Sequence, residues 1–125
     1  MRFGKIIRAL NVFKRTPVRI NTGLGAADLC RFGIAFKEQG QFNIAIKYFK
    51  DAIKIKPDHA DAHYNLGCIY LEQNKLNKAT LSFNRAIQID PDHASAHEGL
   101  GSIYTRIGRG DAAAHESDIA RELKI

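Results

Sequence analysis

The chain writes one pattern three times at an interval of 34 residues. ADLCRFGIAFKEQGQFNIAIKYFKDAIKIKPDH, from Ala27, lies over DAHYNLGCIYLEQNKLNKATLSFNRAIQIDPDH from Asp61, and that over SAHEGLGSIYTRIGRGDAAAHESDIARELKI from Ser95. A unit this short cannot bury its apolar face alone, so the copies must stack on one another. In each copy apolar residues recur at helical spacing over two segments, parted by a polar turn such as Gln39-Gly40-Gln41 or Gln73-Asn74-Lys75. Each copy therefore predicts an antiparallel helical hairpin. The boundaries fall at 26–59, 60–93 and 94–125, after an arm and linker at 1–25.

The small residues keep the same register. Gly33, Gly67 and Gly101 recur within the first helices, where Gly costs about 1 kcal/mol relative to Ala, so the close approach of another backbone is expected there. Ala45, Ala79 and Ala113, with Ala52, Ala86 and Ala120, are the small positions of the second helices. Phe32, Phe36, Leu66, Tyr70, Leu100 and Tyr104 are expected to fill the space around them. Pro57 and Pro91 close the second helices, since proline donates no hydrogen bond and disfavours a helical predecessor.

Phe32-Gly33, Phe36, Ala45, Phe49, Ala52 and Pro57, followed by Leu66-Gly67, Tyr70, Ala79, Phe83, Ala86 and Pro91, resemble the tetratricopeptide repeat family over about 100 of the 125 residues. The family's early Trp is replaced by Leu29, His63 and His97. The resemblance implies an all-α fold, a right-handed α-solenoid of three antiparallel hairpins whose first helices line a concave groove for a partner peptide or helix. Carried over by position, that face holds Ile34, Lys37 and Glu38, then Asp61, Tyr64, Asn65, Cys68, Leu71 and Glu72, then Ser95, Glu98, Ser102, Thr105 and Arg106. It is mildly acidic, and Tyr64 and Leu71 are the expected central anchors. The implied function is that of a protein-binding adaptor or scaffold without catalysis. One branch of the family, the co-chaperones that grip the C-terminal carboxylate of heat-shock proteins, uses a clamp of Lys, Asn and Arg. Here those positions hold Cys30, Ile34, Asn65, Ser95 and Gly99, of which Asn65 alone fits, so no carboxylate clamp is expected.

The third copy departs from the others. Ser117 replaces Phe49 and Phe83, and Gly110 replaces Phe42 and Leu76. A last repeat needs a polar outer face, and Glu116, Ser117, Asp118, Arg121, Glu122 and Lys124 are expected to supply it. No further capping helix is expected after Ile125.

The net charge of +6 resides wholly in the arm: Arg2, Lys5, Arg8, Lys14, Arg15 and Arg19 are its bases, it has no acid, and residues 26–125 balance 13 bases against 13 acids. The arm is not a fourth repeat, because the helix-ending Pro has no counterpart and Pro17 falls where a helix interior would be. Phe3, Ile6, Ile7, Leu10 and Phe13 fall at helical spacing, which predicts a short basic amphipathic helix. Four roles stay open: capping the first hairpin, binding an anionic membrane surface, serving as an organellar presequence, or docking in the acidic groove of a second copy. Nucleic acid is disfavoured, since nothing in the balanced body continues the basic track. With neither a long apolar run nor a secretory pattern, a cytoplasmic chain, peripheral at a membrane if the arm binds one, is the expectation.

Two heptapeptides raise a chemical alternative. PDHADAH at 57–63 and PDHASAH at 91–97 each place two His four residues apart, a zinc spacing when both stand on one helix. The first His of each pair belongs instead to the turn at the seam, and no thiol or carboxylate at ligand spacing completes either pair, so no metal or other cofactor is expected. Cys30 and Cys68 are too few for a disulfide framework, and both predict reduced, small apolar residues. No phosphate loop or nucleophile, base and acid set is present.

Overall fold

A computed structural model describes residues 23–125. Six helices lie among the described residues: α1 (Ala26–Glu38), α2 (Phe42–Ile55), α3 (Ala60–Glu72), α4 (Leu76–Ile89), α5 (Ala94–Arg106) and α6 (Gly110–Leu123). They pair as three hairpins, α1 with α2, α3 with α4 and α5 with α6, and α3 and α5 each also pack on the hairpin before them. The fold is all-α, a solenoid. The bases assigned to the arm, Arg2, Lys5, Arg8, Lys14, Arg15 and Arg19, lie outside the described residues.

The turns within the hairpins are the same motif three times. Gly40, Asn74 and Gly108 hold φ of 76°, 57° and 80°, a left-handed conformation that Gly and Asn adopt most readily. The amides of Gln41, Lys75 and Arg109 donate back to the carbonyls of Phe36, Tyr70 and Tyr104 at 2.9, 2.7 and 2.8 Å. Those of Gly40, Asn74 and Gly108 donate to Lys37, Leu71 and Thr105 at 2.9, 3.0 and 3.2 Å. Each first helix thus ends in a Schellman motif, which satisfies its last carbonyls and reverses the chain within the three residues between helices.

At the seams the repeated His pairs act as punctuation. His59 and His93 are N-caps: their Nδ1 atoms accept from the amides of Ala62 and Ala96 at 3.3 and 3.1 Å, the role usually given to Ser, Thr, Asp or Asn. One turn on, His63 and His97 donate from Nε2 to the carbonyls of Pro57 and Pro91, each at 3.0 Å. These carbonyls lie beyond the preceding helix and would otherwise lack a partner at the seam. The first His of each pair stands before its helix and the second inside it, so each ring serves the backbone locally.

The core corrects the expectation about glycine. An added Cβ on Gly33 or Gly67 would lie 2.7 Å from the rings of Phe49 or Phe83, so an aromatic ring, not a backbone, occupies the space. Phe83 also reaches into the third hairpin, 2.5 Å from an added Cβ on Gly99. At Gly101 the nearest atom would be Ser117 Oγ at 3.4 Å, because Ser117 stands where the ring would be. Phe32 is a second correction: it is 43% exposed, unlike its buried equivalents Leu66 and Leu100. Glu116 is a third, since it is drawn inward to pair with His97 at 2.6 Å instead of joining the outer face. Ser117, Asp118, Arg121, Glu122 and Lys124 are exposed.

Candidate functional site

Helices α1, α3 and α5 carry the groove positions side by side, and polar groups stitch them together. Lys37 Nζ of α1 donates to Asn65 Oδ1 of α3 at 2.8 Å, and Asn65 Nδ2 donates to the Asp61 carbonyl at 2.8 Å. His93 Nε2, at the start of α5, donates to Asp61 Oδ1 at 2.9 Å. Arg106 of α5 reaches the Leu71 carbonyl at 3.1 Å. Lys37, Asp61, Asn65 and Arg106 therefore hold successive repeats together, and Asn65 is buried with both ends of its amide engaged. Sequence position alone gave these residues to a partner.

Tyr64 is likewise partly structural. Its ring lies 5.8 Å from Phe83 and 5.0 Å from His93, centroid to centroid. Its hydroxyl faces the Cys68 thiol and Ser95, and burial, followed by the bond to Cys68, raises its pKa. Burial also raises the Cys68 thiol. Ile34, Cys68 and Leu71 are half-buried, packed on the core with one side outward.

Two recesses open on this ridge of first helices. One of about 340 Å³ is lined by Lys37, Glu38, Cys68 and Glu72, together with Gly40 and Phe42, which sequence reasoning missed. The signal for Phe42 is the Schellman turn: with Gly40 left-handed, the chain doubles back and returns the first side chain of α2 to the mouth of the groove. The other, of about 490 Å³, joins Glu98, Ser102 and Thr105 to Gly101, Ser117, Arg121 and Lys124. Lys124 bonds Glu98 across it. In the preceding hairpins the equivalents of Ser117 and Arg121 are Phe83 and Ile87, so the opening follows from the loss of those apolar groups. Ser95, Tyr64 and Leu71 line neither recess.

Three family models fit this pattern. Those described as tetratricopeptide repeat match residues 60–93 and 82–120, and one described as TPR repeat matches 33–71. The chain belongs to the tetratricopeptide repeat family. No curated protein matches it closely enough to count as a relative. Among solved structures this tetratricopeptide repeat chain is similar to MamA, with a TM-score of 0.74 and 27% identity over 80% of the chain. It spans 58% of the MamA chain. The second TPR of Spaghetti (RPAP3), bound to the HSP90 peptide SRMEEVD, superposes with a TM-score of 0.75 at 21% identity, covering 82% of this chain and 95% of that one. The first TPR of the same protein, bound to the same peptide, gives 0.74 at 19%, covering 78% of each.

Cys30 shows what burial does to the chemistry here. Its thiol lies 3.8 Å from His59 Nδ1. Burial, then the negative charge of Asp61, pushes its pKa from 9.0 up to about 11. The folded value lies above the unfolded one, so the associated stability is whole below pH 9 and is lost as pH rises through 11. Iodoacetamide labelling of Cys30 is expected to stay slow at pH 8 in the native chain and to become fast in urea. Equal rates in both states would contradict the burial. No group of three or more His, Cys, Asp or Glu is placed to hold a metal among the described residues. No helix among them is long and apolar enough to cross a membrane.

Proposed function

We propose that the protein is an adaptor that receives a peptide or helix of a partner protein along the ridge of α1, α3 and α5. The observation that carries this reading is the first recess, where Phe42 and Cys68 give apolar surface among Lys37, Glu38 and Glu72. This is the combination of an apolar centre and a charged rim that binds a short segment in register. The family membership and the peptide-bound neighbours support the same class of function.

The chemistry of the occupant differs from that of the peptide carried by those neighbours. The five clamp positions hold Cys30, Ile34, Asn65, Ser95 and Gly99, without a cation. Asn65, the one matching residue, has its amide committed to Lys37 and Asp61. The nearest cation, Lys37, is itself bonded to Asn65, so a peptide ending in a free acidic carboxylate would meet none of the clamp's own cations.

The test has two arms on the full chain. Fluorescence anisotropy with labelled SRMEEVD is expected to show no saturable binding, and tight binding would overturn the assignment of ligand chemistry. Affinity capture is expected to retain a partner on the wild type and to lose it on Cys68→Arg with Glu72→Lys, provided circular dichroism is unchanged. Retention of the same partner by that folded variant would overturn the groove itself.

A further inference from the structure

The two ends of the stack are unlike, and the difference identifies a second binding surface. At the internal seams α3 presents Ala62, Leu66 and Ile69 to the first hairpin, and α5 presents Ala96, Leu100 and Ile103 to the second; all six are buried. The same register on α1 gives Asp28, Phe32 and Ala35, facing outward with no repeat before them among the described residues. At the far end the exposed positions have turned polar, as Ser117 and Arg121 show. The near end has stayed apolar. Phe32 is 43% exposed and its ring lies 5.7 Å from Tyr48; Tyr48 in turn stacks on Phe36 at 5.4 Å, and Ile44 is 42% exposed.

We propose that residues 3–13 of the same chain cover this face. Within residues 1–22 this segment carries a matching apolar stripe in sequence: Phe3, Ile6, Ile7, Leu10 and Phe13 recur at helical spacing. Its reach is sufficient. The residues between Phe13 and Ala26 extend to roughly 40 Å at about 3.3 Å each, whereas a helix the length of α1 is about 20 Å long. The stripe can therefore lie along the whole face in either direction. Lys5, Arg8, Lys14 and Arg15 fall mostly off the stripe, and Asp28 at the rim already pairs with Arg31 and the Gly25 amide, so the apolar stripe alone carries the contact.

The inference is independent of the groove reading and is tested by a double-mutant cycle in the full-length chain. Leu10→Asp is expected to lower the thermal midpoint by roughly 4 °C, and by under about 1 °C when Phe32→Ser is already present, because the docked contact has been removed once. Phe32→Ser by itself disturbs the packing on Tyr48, so the coupling between the two changes, not either shift alone, is the readout. Additive shifts would overturn the proposal. Sedimentation of the wild type is expected to give a monomer. A dimer abolished by Leu10→Asp would place the segment on a second copy instead and overturn the intramolecular form. Capture of the wild type on phosphatidylserine and phosphatidylcholine vesicles, lost on Leu10→Asp and unchanged on Phe32→Ser, would assign the stripe to a membrane and likewise overturn it.

Discussion

Phe83→Ala is expected to lower the unfolding free energy by about 3–5 kcal/mol, the loss typical of a buried Phe that leaves a cavity. Phe83 is fully buried. Its ring lies against Gly67 of its own hairpin and Gly99 of the next, where added Cβ atoms would come within 2.7 and 2.5 Å. Two walls of the resulting cavity are helix backbone at glycine, which has no side chain to swing inward, so collapse from those sides is limited and the effect belongs at the high end. Urea denaturation measures it. The same experiment separates the recurring glycines by sign. Gly67→Ala forces a methyl group into the Phe83 ring and is expected to destabilise by about 1–3 kcal/mol. At Gly101 nothing lies closer than 3.4 Å to the added atom, so Gly101→Ala is expected to stabilise by about 0.5–1 kcal/mol through helix propensity. Equal signs at the two positions would refute the account of why glycine recurs.

That contrast shows where the sequence was legible and where it was not. The interval of 34 and the helical spacing located the hairpins, because both follow from backbone periodicity and turn chemistry. The identity of the group facing each glycine did not follow, since Phe49 and Phe83 meet their glycines from another helix, close in space and distant along the chain. The groove was harder. Register correctly places Lys37, Asp61, Asn65 and Arg106 on the first helices. It cannot tell a side chain aimed at a partner from one that bonds the next repeat, as the Lys37–Asn65 and Asp61–His93 contacts do. Phe42 was missed for the complementary reason: it belongs to a second helix and enters the recess only because the turn before it reverses so tightly.

His97→Ala is expected to destabilise by about 3 kcal/mol, well beyond the loss from His63→Ala, although the two residues occupy the same place in successive repeats. Both donate from Nε2 to a prolyl carbonyl at 3.0 Å, a bond whose net contribution is about 1 kcal/mol. His97 alone has a second partner, Glu116, whose Oε2 lies 2.6 Å from Nδ1. The side chains are 9% and 15% exposed, so the carboxylate can recover little hydration once the ring is gone. Removing one member of a buried pair costs about 3–5 kcal/mol, and the residual exposure of Glu116 sets the low end of that range. At the equivalent place in the second hairpin stands Ser82, which leaves no stranded charge when His63 is removed. The double variant His97→Leu with Glu116→Leu is expected to recover most of the loss, because two apolar groups of similar size leave no orphan. Denaturant titration of the four chains, wild type, both His variants and the double variant, decides the matter. Equal losses for His63→Ala and His97→Ala would show that the Glu116 contact contributes nothing to the hairpin that ends the described array.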